Sequence, residues 1–392
     1  MSRVYPIAAV LLAVIGPVQG ASAQAGPQQR DSAGVRIIVQ AEGRVVALSA
    51  ARPRFTLDGT EGGRQPFYHI TGVVALRDGI VVANAGTHEL RFYGRDGSLR
   101  SVAGRQGSGP GEFRVITWIQ AMPGDSLLVF DGGQRRMSVW TASGEYVRDI
   151  AIRFGTPRVE PGFLAIPPSP LGMFSDREFY FIGSVAIRPA PEFQRATGPL
   201  VRSTLTMQES DTIANLAVME MQPGVGSPLP PMREIAFPRM LRYAFGQDEF
   251  AITDGAGYRI DRYTRSGRLQ TSVRVDRELA AVSRRDRELY LREERDRPDD
   301  VIFGSHFPAY SELWYDRDGR LWAGLYRRPS AEERLWDIFD SAGKLLLTLK
   351  APASLQLVAA DAEQVYAIHT DHLDVPTLRA FELPRELSPS RK

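Results

Sequence analysis

Three stretches of the chain carry one pattern. NAGTHELRFYGRDG at residues 84–97, DGGQRRMSVWTASG at 131–144 and DGAGYRIDRYTRSG at 254–267 each open on Asn or Asp. An aromatic residue follows nine positions later (Tyr93, Trp140, Tyr263), a glycine four beyond it (Gly97, Gly144, Gly267), and an apolar residue two beyond that (Leu99, Tyr146, Leu269). A looser copy ends at Phe339 and Gly343, with Leu345 after it. Apolar runs at 80–83, 127–130 and 250–252 precede the three copies and favour strands. Asn or Asp opens a turn because its side chain bonds the backbone two residues on. The glycine supplies the positive φ of a tight hairpin, and an alternating run such as 98–103 follows. Each copy therefore predicts three strands and two turns, with room for a fourth strand upstream. One sheet of that size cannot bury both faces alone, so the copies are expected to stack around an axis.

The spacing Asp/Asn-x4-[Arg/Glu]-[Leu/Met/Ile]-x2-aromatic resembles the NHL repeat. The matching positions are Asn84, Glu89, Leu90 and Tyr93; Asp131, Arg136, Met137 and Trp140; and Asp254, Arg259, Ile260 and Tyr263. The first copy departs from the pattern, with Asn and Glu where Asp and Arg are usual. A glycine-rich connector, GRQGSGPGEF at 104–113, is a second hallmark. The resemblance is to secreted six-bladed NHL-like β-propellers, and it covers most of the chain after about Gly34. It implies a fold rather than a function. Relatives of this kind include a lyase acting on peptidyl-hydroxyglycine, and other six-bladed propellers are metal-dependent hydrolases. None of their catalytic residues matches a position here.

The expected fold is an all-β, six-bladed propeller with four-stranded antiparallel blades. Blade 1 uses 70–76, 80–83, 88–93 and 98–103; blade 2 uses 116–121, 126–130, 135–141 and 145–150. Blade 3 is divergent, with 172–174, 178–182, 200–207 and 212–216. Blade 4 uses 240–245, 249–253, 258–263 and 268–273; blade 5 uses 311–315, 320–324, 335–339 and 344–349. Only three strands, 355–360, 364–369 and 377–383, remain for the last blade, and 54–58 near the N-terminus supplies its missing outer strand. Closing the ring with both chain ends removes open sheet edges. This count gives six blades, and the divergence of the third copy leaves five or seven open. Strand-like segments at 35–40 and 44–47 fall outside the repeat.

Insertions at 153–170, 218–238 and 276–309 join outer strands to the next inner strand. Those at 189–199 and 327–331 join second to third strands. In a propeller both kinds of connection lie on one face, so the extra chain is expected to gather around one mouth of the channel, where binding sites on rigid scaffolds usually sit. Within 276–297, Leu279, Val282, Leu289 and Tyr290 are spaced as on a helix, with Pro298 as its stop. Alternating Arg and Asp/Glu suit a solvated rim helix, or a lid.

Residues 1–23 read as a secretory signal: Arg3, an apolar stretch at 6–18, and Ala21-Ser22-Ala23 before Gln24. The expected organisation is signal 1–23, linker 24–34, propeller 35–385 and tail 386–392, in a periplasmic or extracellular monomer. The chain has no cysteine, and its 48 basic and 46 acidic residues nearly cancel. That balance provides no global field for nucleic acid, and no segment after the signal is long enough to span a membrane.

No Walker loop, dinucleotide fingerprint, HExxH, EF-hand or G-x-S-x-G motif occurs. The connector 104–111 leads into a strand, so it lacks the helix N-terminus that phosphate cradling needs. The five histidines include no helical i,i+4 pair. The channel-mouth candidates are His69, Trp118, Arg239, Arg242, His306, Tyr310 and Trp314, which fall on or beside inner strands. The first functional expectation is an exported scaffold that binds an unidentified ligand or protein through its loop face and channel mouth. The alternative is a propeller lyase or hydrolase with Ca²⁺ or Zn²⁺ held by channel histidines and carboxylates. A third is a passive platform in an envelope assembly. No catalytic residue or cofactor is assigned under the first reading.

Overall fold

The second strand of each blade shows how the fold is held. In the computed structural model, Gly79–Asn84 is buried along its whole length. Ile80 and Val82 pack with Tyr366 and Leu378 on one side, while Val81 and Ala83 pack with Leu127 and Val129 on the other. Ser126–Asp131 repeats this, with Leu127 and Val129 facing back and Leu128 and Phe130 facing forward to Phe179 and Phe181. Alternate side chains point to opposite faces of a strand, so a continuous apolar run is what a sheet between two neighbours requires. The structure describes residues 26–49, 52–154, 164–187, 193–223, 232–293 and 301–388; the signal expected at 1–23 lies outside them.

Six sheets form a six-bladed β-propeller. Blade 1 is Ile70–Leu76, Gly79–Asn84, Glu89–Gly94 and Leu99–Ala103. Blade 2 is Ile116–Met122, Ser126–Asp131, Arg136–Trp140 and Tyr146–Ala151. Blade 3 is Ser169–Met173, Phe179–Ile182, Gln194–Ser203 and Ser210–Pro223. Blade 4 is Arg242–Phe245, Glu249–Thr253, Arg259–Thr264 and Leu269–Val275. Blade 5 is Tyr310–Tyr315, Leu321–Leu325, Glu333–Phe339 and Leu345–Pro352. Blade 6 is Leu355–Ala360, Gln364–Thr370 and Pro376–Glu382, completed by Phe55–Leu57. The closing strand runs antiparallel, with Leu57 opposite Leu378 and Phe55 opposite Ala380.

The N-terminal segment does more than close blade 6. Val35–Gln40 lies parallel to the outer strand of blade 4, and Gln28–Ser32, within the expected linker, folds back on it as a hairpin. Val45–Ala47 then lies parallel to the outer strand of blade 5. The chain start thus straps the outside of blades 4, 5 and 6 in turn. Gln40 ties two of them: its amide donates to the Gly343 carbonyl (3.0 Å) and accepts from the Leu345 N–H (2.9 Å). At the other end, Leu387 of the expected tail is 4% exposed and packs in the core between blades 5 and 6. Arg320 donates to its carbonyl.

The repeat residues fasten connectors. Asn84 Oδ1 accepts from the Tyr68 N–H (2.8 Å), and Asp131 accepts from the N–H groups of Arg114 (2.8 Å) and Val115 (3.2 Å). Each therefore pins the chain just before an inner strand. Asp254 instead makes a local turn to the Ala256 N–H (3.0 Å). Arg136 clamps the glycine-rich connector through the carbonyls of Gly109 (3.0 Å) and Glu112 (2.7 Å). Where blade 1 carries Glu89 at that position, Arg91, only 1% exposed, grips the Gly59 carbonyl (2.5 Å) of the equivalent connector and pairs with Glu89. Gly104 has φ +84, and a Cβ there would meet the Phe113 ring at 2.5 Å.

Three expectations need correction. In blade 3 the third strand ends at Ser203 rather than 207, because Thr204 and Glu209 close the hairpin with Met207 at φ +58. The expected insertion at 189–199 is strand from Gln194 onward, and the outer strand continues to Pro223. The rim helix is Arg284–Glu293 alone. Leu279 and Val282 lie upstream, where backbone pairing of 280–282 with residues 305–307 keeps the chain extended. Ser283 and Asp286 form the helix's reciprocal capping box (Ser283 N–H to Asp286, 3.1 Å; Asp286 N–H to Ser283 Oγ, 3.2 Å).

Candidate functional site

The inner strands surround a channel whose main cavity, about 550 Å³, runs from mid-depth to the turns joining first and second strands. Its walls include Trp118, Gln120, Tyr243, Phe245, Trp314 and Tyr315. Packing behind the wall fixes these groups. Trp314 stacks on Trp322 at 4.5 Å and 16°, and Trp118 lies against Phe130 at 5.4 Å. Gln120 reaches blade 3, donating to the Met173 carbonyl at 2.8 Å. Tyr315 donates to Glu249 at 2.8 Å. Burial pushes the Tyr243 hydroxyl up to about 12, so it stays protonated at neutral pH. The indole N–H of Trp314 is buried without a partner.

Charged turns rim this end. Asp125 accepts from the Arg77 N–H (3.0 and 3.2 Å) and pairs with Arg317 at 3.0 Å. Asp125 belongs to blade 2 and Arg317 to blade 5, which stand opposite one another in a ring of six, so the pair bridges the mouth. Arg265, paired with Glu178 (3.1 Å), lines the same end.

The opposite mouth carries the insertions. Ile235–Ala236 pairs in parallel with Ile302–Phe303, joining the insertion before blade 4 to the one before blade 5. Ala236, Phe237, Val282 and Phe307 form a small apolar core between them, with Phe237 and Phe307 rings 4.6 Å apart. Ser330, from the loop between the second and third strands of blade 5, donates to Asp286 at the helix start (2.7 Å). Three insertions thus fold into one accessory cap over blades 4 and 5.

Beside this cap lies an arginine cluster. Glu312, on the inner strand of blade 5, accepts from Trp336 Nε1 (3.0 Å) with one oxygen and Gln356 Nε2 (3.0 Å) with the other. Burial pushes its carboxyl above the usual range, and the charges of Arg334 and Arg242 pull back. Burial pulls both guanidinium groups down. Arg334 donates Nε to the Ala353 carbonyl (3.0 Å), and Arg327 donates to Ala331 O (3.3 Å). The Nε of Arg242 is buried with no partner.

The seven sequence candidates scatter. Trp118 and Trp314 line the cavity, and Arg242 joins the arginine cluster. Tyr310 is buried within the blade interface and donates to Asp337 (3.2 Å), so it does not line the channel. Arg239 fastens the connector before blade 4 to the outer strand of blade 3, pairing with Glu220 (3.6 Å). His69 lies in an exposed groove near Ile368 and Asp374, and His306 is exposed on the cap beside Ser305 (2.9 Å). Among the described residues no three His, Asp or Glu groups converge as metal ligands. Asp125, Arg317, Glu312 and Arg334 were not among the candidates. The turn positions of Asp125 and Arg317 were visible in the sequence, but their meeting across 192 residues was not.

No protein-family model and no curated protein matches the chain. Solved structures similar to it include a Bacteroides fragilis protein assigned as exported: 10% identity, 89% of this chain and 100% of that one covered, TM-score 0.46. A Xanthomonas campestris gluconolactonase matches at 12% identity, covering 81% and 88%, with TM-score 0.39. A calcium-binding protein, regucalcin, from Agrobacterium tumefaciens matches at 10% identity, covering 87% and 97%, with TM-score 0.39. At these identities and scores the likenesses bear on neither activity nor ligand. The six-bladed assignment rests on the strand pairing. No described helix is long and apolar enough to cross a membrane.

Proposed function

We propose that the chain is an exported, NHL-like β-propeller that binds a small ligand in its central channel, acting as a monomer without nucleic acid. The carrying observation is the cavity of about 550 Å³, walled by aromatic rings that blade packing holds in place and supplied with a few fixed polar groups. Apolar concavity with sparse oriented polarity is the usual composition of a ligand pocket. Export rests on the sequence of residues 1–23. A Ca²⁺ or Zn²⁺ centre of the kind implied by the enzyme alternative is not fitted by the described histidines and carboxylates, which do not converge.

Ala121 offers the test, since it is exposed and lines the cavity. Ala121→Trp fills the channel while leaving the blade cores intact. Purified protein equilibrated with an envelope extract, washed and denatured is expected to release a small molecule detectable by mass spectrometry, and A121W to release much less. Equal release from both proteins refutes channel binding. Stoichiometric metal in the purified protein, lost on mutating channel residues, favours the enzyme reading instead.

A further inference from the structure

We propose that the channel ligand bears a carboxylate, which docks on Arg242 and Arg334 at the cap-side mouth while its body lies among the aromatic walls. The inference rests on the channel-binding reading and names the chemistry of its ligand. Arg242 and Arg334 flank the Glu312 carboxylate, Arg327 lies beside Arg334, and among the described residues none of the three forms an ion pair. Glu312 does not satisfy them, because each of its oxygens is taken by a neutral donor, Trp336 or Gln356. Backbone carbonyls hold Arg334 and Arg327 in place through one N–H each, which leaves the remaining N–H groups of both for a ligand. Arg242 has a buried Nε with no acceptor at all.

Such an arrangement is costly for an empty site. Buried donors without acceptors are unfavourable, and desolvated arginines that outnumber the one carboxylate beside them are more so. A carboxylate offers the planar acceptor geometry that guanidinium groups match in pairs. Trp314, which lines the main cavity, stands two residues beyond Glu312 on the same face of the inner strand, so the charged mouth adjoins the aromatic walls. The excess of positive charge over Glu312 excludes a cationic head group at this end.

Phenylacetate, its neutral analogue phenylacetamide and inorganic phosphate test the proposal by calorimetric titration and thermal shift at matched ionic strength. The wild-type protein is expected to bind phenylacetate saturably and at least tenfold more tightly than phenylacetamide. Arg242→Met and Arg334→Met should each abolish that preference, whereas Arg148→Met, on an exposed pair at the outer edge of blade 2, should keep it. Should R242M fail to fold, R334M and R327M carry the same comparison. Equal binding of the two phenyl probes, absence of saturable phenylacetate binding, or an undiminished preference in the arginine variants overturns the proposal. Phosphate binding without phenylacetate binding also overturns it. An extract ligand displaced by A121W but retained by R242M refutes the carboxylate site alone and leaves channel binding standing.

Discussion

Replacing Arg277 by methionine tests how blades 4 and 5 are joined. Arg277 follows the outer strand of blade 4 and donates to Asp337, on the third strand of blade 5, at 2.8 and 3.2 Å. Asp337 is 0% exposed and also accepts from Thr348 (2.7 Å) and Tyr310 (3.2 Å). The guanidinium lies 4.8 Å from the Tyr258 ring centre and reaches Glu42 of the N-terminal strap at 3.3 Å. Methionine keeps most of the aliphatic stem but strands a buried carboxylate, a change that costs about 3–5 kcal/mol. The exposed Glu42 contact adds less than about 1 kcal/mol. Adding Asp337→Asn removes the stranded charge, keeps an acceptor for one of Thr348 and Tyr310 and turns an N–H donor to the other hydroxyl, which can accept it, so R277M/D337N should recover about 2 kcal/mol or more of the loss. Denaturant titrations followed by far-ultraviolet dichroism and tryptophan fluorescence, compared at a common slope, measure both. Burial pulls the Arg277 pKa down, but the hydrogen bond and charge of Asp337 outweigh it and leave the group above its ordinary value. A raised basic group contributes fully below its unfolded value and loses that contribution only above it, so the R277M deficit should be flat from about pH 6 to about pH 9. An R277M loss under about 1 kcal/mol, or a double variant no better than the single, refutes this account.

Other perturbations separate the remaining parts of the fold. Leu57→Ala, at the closing strand and 4% exposed, should cost about 2–5 kcal/mol in the same titrations, although it removes only one side chain from a three-residue strand. Gly79→Ala places a Cβ 1.8 Å from the Tyr93 carbonyl oxygen, and backbone cannot yield as a side chain can, so its thermal midpoint should fall by the equivalent of about 1–3 kcal/mol or more. Arg317→Met should cost no more than about 1 kcal/mol, because the bridge to Asp125 is partly solvated, and a larger loss would show that the bridge holds the ring. Burial raises the Glu312 carboxyl in the folded state, so its contribution is full below the unfolded value of 4.5 and is lost as pH rises through the folded value. Wild-type protein should therefore lose stability relative to Glu312→Gln as pH rises above about 4.5, measured by thermal melts, and parallel profiles would refute the shift.

The blades were legible because their signals are local. An apolar run, an Asx turn, an aromatic residue and a positive-φ glycine all fall within one short stretch, as at 84–97, and the count of strands left the last blade short by the one that Phe55–Leu57 supplies. The strap was less legible: 35–40 read as a strand, yet nothing in VRIIVQ specifies a parallel seat on blade 4. Blade 3 lost its pattern because Thr204–Glu209 turns without glycine. The site was the least legible part. Tyr310 and Arg239 had the sequence positions of channel residues, but bonds to Asp337 and Glu220 turned them elsewhere. Arginine is frequent throughout the chain, so the partnerless Nε of Arg242 has no signature apart from its neighbours in space.

The outer strap also sets an order of assembly. Gln40 grips residues 343 and 345, and Phe55 sits opposite Ala380, so the segment synthesised first waits for nearly the whole polypeptide before it can dock. Pairings between such distant residues slow folding, since loop closure is demanded before contacts reward it. Until blades 4 to 6 exist, the early strands stay unpaired, and a chain interrupted before residue 343 leaves the ribosome with its fastening made and nothing to fasten.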